Sequence, residues 1–279
     1  MTTGSSLLDC IKHQVEKESF TLPVLNRTCF QLQAMVSKHN CDLRELETLI
    51  MRDQALATDV LRAANSAFFG GLSEVNTIRS AVMRIGVKEV LKIVFLVSER
   101  TKYHARDPLL GSMVRALWQH ASASAAAADW LACRLKHKAR EEAFLAGLLH
   151  DIGELVVLRA LDEFKTSENP AMTLSPALVT EIMTSTHTEL GFNFLARRRI
   201  PEVYCRIAHD HHQEKVDQAD ALMAMIRLSD LAARKLGLSL RPDASILLAA
   251  TSEAACLGVD DIVLAELEVM LEDFQAVAA

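Results

Sequence analysis

The stretch Glu141-Glu142-Ala143-Phe144-Leu145-Ala146-Gly147-Leu148-Leu149-His150-Asp151-Ile152-Gly153-Glu154-Leu155-Val156-Val157-Leu158-Arg159-Ala160-Leu161 is apolar on nearly every side when wound as a helix. Such a helix is central and buried, so the flanking sequence must supply helices to cover it. Its middle nevertheless carries His150 and Asp151, groups that a core accepts only with partners. Adjacent helical residues point ~100° apart. The pair can therefore address one point only near a helix end or kink, and Gly153 supplies a break just after it.

Outward from this stretch the chain reads as further helices. Leu109 to Leu135 carries the stripe Leu110, Val114, Leu117, Ala121, Ala125, Ala128, whose small centre lets another helix approach closely. Ser175-Pro176 supplies an N-cap and a first-turn proline. Helices over Pro201 to His212, Ala219 to Leu236, Asp243 to Leu257 and Asp261 to Val277 follow. Upstream, the pattern predicts helices over Leu25 to Lys38, from the cap Asp42 with Glu45 completing a capping box, and over Ala55 to Ala64. Gly70-Gly71 breaks the chain there, and Thr77 to Ile85 and Lys88 to Val97 are separated by Gly86. No two-residue alternation suggests a sheet. The expected fold is all-α, with a polar boundary at Tyr103 to Pro108 dividing an N-terminal helical half, residues 1–105, from a second helical half, residues 106–279.

Composition agrees. Half of the 279 residues are apolar, with only 6 Pro and 10 Gly, a helix-former balance. A net charge of −6 argues against a nucleic-acid partner, which needs a concentrated basic surface. The basic run Arg197-Arg198-Arg199 reads more simply as favourable charge at a helix C-terminus. Six scattered cysteines without CxxC spacing fit reduced thiols. No signal peptide and no membrane-length apolar run are evident, so the expected compartment is the cytoplasm.

Several polar residues fall where the stripes call for apolar ones. His120 lies beside the alanine stripe of its helix; His187 completes Met183, His187, Leu190, Phe194. His211 completes Val203, Ile207, His211, with His212 beside it, and Asp230 completes Leu222, Ile226, Asp230. Taken singly, a buried histidine is more often a hydrogen-bonded core residue than a ligand. A buried mid-helix aspartate such as Asp230 is harder to accommodate, because an unpaired carboxylate in a core costs several kcal/mol. Five segments presenting His or Asp inward point to one or two divalent cations, for which neutral imidazole and carboxylate suit Mn, Fe, Zn, Co or Ni.

The segment Phe144 to Gly153 resembles the signature of the HD superfamily of metal-dependent phosphohydrolases. The first half resembles the HDOD (HD-related output domain) branch of bacterial signalling proteins. That resemblance rests on Leu22-Pro23-Val24-Leu25, on the run Asp53 to Gly70, and on Ile78, Ala81, Val82, Ile85 and Gly86. It implies an HD-domain-like helical bundle with an additional N-terminal helical subdomain. It also implies the ligand series His120, His150, Asp151 and Asp230, with His187, His211 and His212 matching the extra histidines of two-metal members.

Departures from the pattern bear on activity. The HD-GYP phosphodiesterases keep Lys where Glu154 stands, Glu where Ala116 stands, and a Glu and Gly-Tyr-Pro motif after their histidine pair, where this chain has Gln213 and no such motif. Glu154 read as a free anion would repel a substrate phosphate. The expected function is thus a regulatory output module with a divalent-metal site, acting with a signalling protein partner or a small phosphorylated ligand. The alternative is a phosphohydrolase acting on a nucleotide or cyclic dinucleotide phosphoester, in which Asp151 and a metal-activated water would carry the chemistry. A third reading leaves the histidines as core residues without an ion. Arg115 and Arg159 could reach phosphate, though salt bridges to Glu on neighbouring helices are the simpler expectation. Asn65-Ser66 with Phe68-Phe69 and Gly70-Gly71 could form a docking loop or simple loop packing.

Overall fold

A computed structural model describes residues 6–17, 20, 22, 46–47, 50–51, 54–66, 69, 74–100, 104–214, 217 and 219–278. Every regular element among the described residues is helical, as expected from composition and periodicity. The helix predicted over Leu25 to Lys38, the cap Asp42 with Glu45, and the loop residues Phe68, Gly70 and Gly71 lie outside the described residues. The chain forms two compact units, residues 1–22 with 103–264, and residues 23–102 with 265–279.

The second unit contains α2 (Gln54–Ala64), α3 (Ile78–Ile85) and α4 (Val87–Arg100). Val60, Ala64, Ile78, Val82, Val90 and Val94 are among the buried side chains that form its core. Thr77 caps α3 by accepting from Ser80 N, and Gly86, at φ 87°, separates α3 from α4. Asn65 turns out to be a local staple. Its amide accepts from Val75 N at 2.8 Å and donates to Val75 O at 2.7 Å, tying the end of α2 to Val75.

The first unit contains α1 (Leu7–Glu16), α5 (Pro108–Arg134), α6 (Arg140–Leu149), α7 (Ile152–Ser167), α8 (Pro176–Arg197), α9 (Glu202–Asp210), α10 (Ala221–Lys235) and α11 (Ser252–Leu257). α12 (Asp261–Ala278) starts in this unit and continues into the other. Asp107 caps α5, with Pro108 in the first turn. The buried Asp162 of α7 accepts the backbone N–H groups of Arg106 and Asp107 at 2.9 and 3.0 Å, so α7 fixes where α5 begins. α8 opens on the Ser175 cap and Pro176 as expected. At its far end Arg198 lies 3.6 Å over the Phe194 ring and Arg197 pairs with Glu16, so the arginine run serves the helix terminus.

Two expectations are corrected. The buried helix foreseen over Glu141 to Leu161 is two helices, α6 and α7, and the interruption falls at His150 and Asp151 themselves rather than at Gly153. Gly153 is instead a point of close approach. A Cβ there would lie 1.8 Å from His187 O on α8 and 2.9 Å from Gly191 N. The segment Asp243 to Leu257 is not one helix either. Asp243 turns back on Ser245, bonding its N at 3.0 Å, which competes with helix formation. A 3-10 turn (Leu248–Ala250) and the short α11, capped by Thr251, take its place.

Gly147 makes the other tight contact, where α6 lies on the alanine-rich middle of α5. Its added Cβ would meet Ser124 O at 2.7 Å and Ala125 Cα at 2.8 Å. Backbone cannot yield as a side-chain tip can, so alanine at either glycine should cost about 2–4 kcal/mol of unfolding free energy. Gly111→Ala, whose nearest contact is 3.4 Å, is the control. It should be neutral or stabilising by up to about 1 kcal/mol through helix propensity. Denaturant unfolding of the three variants checks this ordering, and equal stabilities would contradict the close approaches.

Candidate metal centre

The interruption between α6 and α7 sets the site. His150 ends α6 in a helical conformation, and Asp151 occupies the N-cap position of α7 at φ −100°, ψ 20°. An aspartate at an N-cap ordinarily accepts from its own helix. Asp151 makes no such cap bond, and its carboxylate faces the histidines of other segments instead.

Its two oxygens serve two groups. Oδ2 lies 3.4 Å from Nε2 of His120 and 3.4 Å from Nε2 of His150. His120 Nε2 is also 3.2 Å from Asp230 Oδ1 and 3.3 Å from His150 Nε2. Oδ1 lies 3.1 Å from His211 Nε2 and 3.6 Å from His187 Nε2. His212 completes the second group, its ring centroid 4.1 Å from that of His211 and 5.1 Å from that of His187. Within each group, His120, His150, Asp151, Asp230 and Asp151, His187, His211, His212, one ligand atom per residue lies within 4.8 Å of all the others. All seven residues singled out in the sequence are thus brought together, and Asp151 belongs to both groups. Six of the seven are buried; His212 is exposed at the edge.

The ring orientations are set by the backbone. Nδ1 of His120 bonds Leu238 O at 2.9 Å, His150 bonds Gly147 O at 2.8 Å, His187 bonds Met183 O at 2.9 Å and His211 bonds Ile207 O at 3.1 Å. A carbonyl oxygen can only accept, so each Nδ1 carries a proton and each ring turns its Nε2 inward, as a lone pair wherever the ring is neutral. Four imidazole Nε2 atoms and two carboxylates converge, with His120 and His211 close enough to the carboxylates to share protons with them. His187 Nε2 is buried without any hydrogen-bond partner. Acceptors facing acceptors need a cation or protons, and backbone-oriented imidazoles are the usual arrangement around a metal. The donor set fits a divalent ion.

Electrostatics of the ion-free protein say the same. Burial disfavours charge on His120, but its bonds to Asp151 and Asp230 outweigh this and push it up to about 10. Burial would raise Asp230, yet the His120 bond and charge hold it at about 2. Asp151 sits well below the carboxylate range despite its burial, because His150, His120 and His211 surround it. His187, buried and facing less compensation, is shifted down. In the first group, positive charge on the His120 ring offsets the two carboxylates.

Glu154 does not stand as the free anion foreseen from the sequence. It is buried and its carboxylate is engaged by Arg241 from the loop after α10. Burial and the nearby Asp151 raise it to about 7 against the opposing pull of Arg241. The repulsion argued from Glu154 is therefore offset by a guanidinium that no helical periodicity marked, because Arg241 lies outside every helix. Arg159 pairs with Glu163 on its own helix at 2.9 Å, rather than with a neighbouring helix.

Among the described residues, no helix is long and apolar enough to cross a membrane. The HDOD domain pattern matches residues 22–214. An uncharacterized protein from Treponema pallidum (strain Nichols) is 28% identical over 196 residues, which are 68% of this chain, and the match spans only 37% of that relative. A candidate metal-dependent phosphohydrolase from Shewanella amazonensis SB2B superposes with TM-score 0.65 at 19% identity, covering 98% of each chain. An HDOD domain protein of unknown function from Geobacter sulfurreducens superposes with TM-score 0.62 at 19% identity, covering 96% of this chain and 93% of that one. A candidate signal transduction protein from Marinobacter aquaeolei VT8 gives TM-score 0.58 at 20% identity, over 96% of this chain and 63% of its own. At such identities these likenesses concern the fold. Since the family pattern takes in more than half of the residues and the helical fold recurs in these structures, the chain belongs to the HDOD domain family.

Proposed function

We propose that this protein is an HDOD-type signalling module that binds two divalent transition-metal ions, one on each side of the Asp151 carboxylate. The observation that carries the reading is the division of Asp151, Oδ2 beside His120 and His150 and Oδ1 beside His211 and His187, with Asp230 and His212 completing the two groups. Ions held there supply positive charge and Lewis acidity to a phosphoryl group. The chain's own residues orient the imidazoles through backbone carbonyls, exclude bulk water from the inner donors and keep Asp151 ionised. Fe, Mn, Zn, Co and Ni all suit the nitrogen and oxygen donors. A module of this kind transmits its state to a signalling partner, as the output-domain family resemblance implies. A second reading, metal-dependent phosphohydrolysis, is favoured by one observation, the Arg241 cation that neutralises Glu154 beside the donors.

The two-sided arrangement makes a graded prediction for metal content. Protein prepared without chelator should hold up to about two equivalents of transition metal. Asp230→Asn and His187→Ala should each lose about one equivalent, and Asp151→Ala both. Chelator stripping should lower the melting temperature of the parent, since ligand binding stabilises the folded state. Elemental analysis reads the first result and a thermal scan the second. Less than about a tenth of an equivalent after reloading would refute the metal reading.

Metal and proton compete for the first group. His120 is raised to about 10, so it holds its proton at neutral pH in the ion-free protein, and a cation must displace that proton. Loading should therefore release protons, and affinity should fall as pH drops from about 8 to about 6. Calorimetric titration in buffers of differing ionisation enthalpy measures the release; affinity independent of pH would contradict it.

Turnover separates the two readings. With excess Mn or Fe, the module reading expects no hydrolysis of a generic phosphodiester or of cyclic dinucleotides above the metal-only control. Turnover by the parent that disappears in His150→Ala would establish the phosphohydrolase instead.

A further inference from the structure

Arg241 is neither one of the seven donors nor part of any helix, yet it binds both elements that flank them. Its Nη2 engages Glu154, one turn after Asp151 on α7. Its Nη1 donates to Thr184 Oγ1 at 3.0 Å, one turn before His187 on α8. A guanidinium has five N–H donors in a planar fork. Two are taken by these contacts, and no other hydrogen bond joins Arg241's side chain to a described residue. About a third of the side chain, 32%, remains in solvent, whereas Glu154 is nearly closed off at 2%. The buried end of the pair is thus anchored and the cationic end is presented. Its contacts with Glu154 and Thr184, three residues from Asp151 and His187 respectively, set it beside both groups of donors.

We propose that Arg241 is the anchor for a phosphoryl group of the ligand this site accepts, with Glu154 and Thr184 holding the guanidinium in position and Glu154 acting as its internal competitor. This deepens the metal-site reading and rests on it for the identity of the site. The ligand class is a phosphomonoester or phosphodiester, whose oxygens can take up two of the three remaining N–H donors of the fork. A carboxylate beside the donors then has a use. In the ligand-free protein it neutralises a guanidinium that would otherwise face the site uncompensated. When a phosphoryl group arrives, the guanidinium is already placed, and the phosphate shares it with Glu154.

The competitor role distinguishes this proposal from a purely structural ion pair. A structural pair is damaged alike by removing either partner. An anchor with an internal competitor responds with opposite signs.

The test is calorimetric titration with inorganic phosphate, run on metal-loaded and on chelator-stripped protein, with metal content measured alongside. Arg241→Gln should weaken phosphate binding by about 10- to 100-fold while keeping the parent's metal content. Arg241→Lys, which keeps the charge and loses the fork, should fall between the two. Glu154→Gln, which preserves shape and an acceptor for Arg241, should bind phosphate more tightly than the parent. Parent-like phosphate affinity in Arg241→Gln would overturn the proposal. So would joint loss of metal and phosphate in both Arg241→Gln and Glu154→Gln, or a parent that binds no phosphate in either form. A parent that takes up no metal would defeat the metal reading alone. The same titrations on the stripped protein would then decide the anchor by the signs of the Arg241 and Glu154 variants.

Discussion

One constraint organises this structure: a carboxylate, Asp151, that sits at the start of a helix and does not cap it. A capping bond would have turned the side chain along α7. Leaving it free turns both oxygens toward imidazoles from α5, α8 and the end of α9, and toward the neighbouring His150. The break between α6 and α7 is what makes this possible, since a continuous helix would send His150 and Asp151 in directions ~100° apart. Gly153 then lets α8 come close enough to bring in His187, and Gly147 lets α6 lie against α5, which brings His120 and His150 within 3.3 Å.

The physical cost of this arrangement explains its composition. Two carboxylates and four imidazoles in a low-dielectric interior would strongly disfavour the fold if left to themselves. Proton sharing offsets part of that cost in the first group, where His120 is held protonated between Asp151 and Asp230. In the second group His211 Nε2 reaches Asp151 Oδ1 at 3.1 Å, but His187 Nε2 is left buried without a partner. In the proposed reading, an ion held by each group would satisfy both with one kind of chemistry. In this account the same positive charge, joined by Arg241, defines what the site can hold: a ligand carrying phosphoryl oxygens.

Much of this was legible in the sequence, for identifiable reasons. Helices with strong caps and long apolar stripes, such as Pro108–Arg134 and Pro176–Arg197, announce themselves by period and by Asp107, Ser175 and their following prolines. The seven candidate ligands are marked in the sequence because each interrupts an apolar stripe or adjoins one that does. The interruption at His150 and Asp151 was visible only as a geometric necessity, and the glycine blamed for it had another task, since close helix approach and helix breaking leave the same mark in one sequence. Asp243 to Leu257 misled because Asp243 and Ser245 form a local turn that composition does not reveal. Arg241 and the Leu238 carbonyl were out of reach, because an irregular segment has no period and its tertiary contacts carry no local signature. Glu154 stands out in the sequence as a carboxylate beside the candidate ligands, but its partner Arg241 carries no sequence signal.

In the proposed function Asp151 would serve as a ligand in both groups of donors. A crystal structure of Mn-loaded protein with anomalous scattering data tests it most directly. The account predicts two anomalous peaks, one between Asp151 and the His120, His150, Asp230 group, the other between Asp151 and the His187, His211, His212 group. A single peak away from the Asp151 carboxylate, or none in fully loaded crystals, would contradict it.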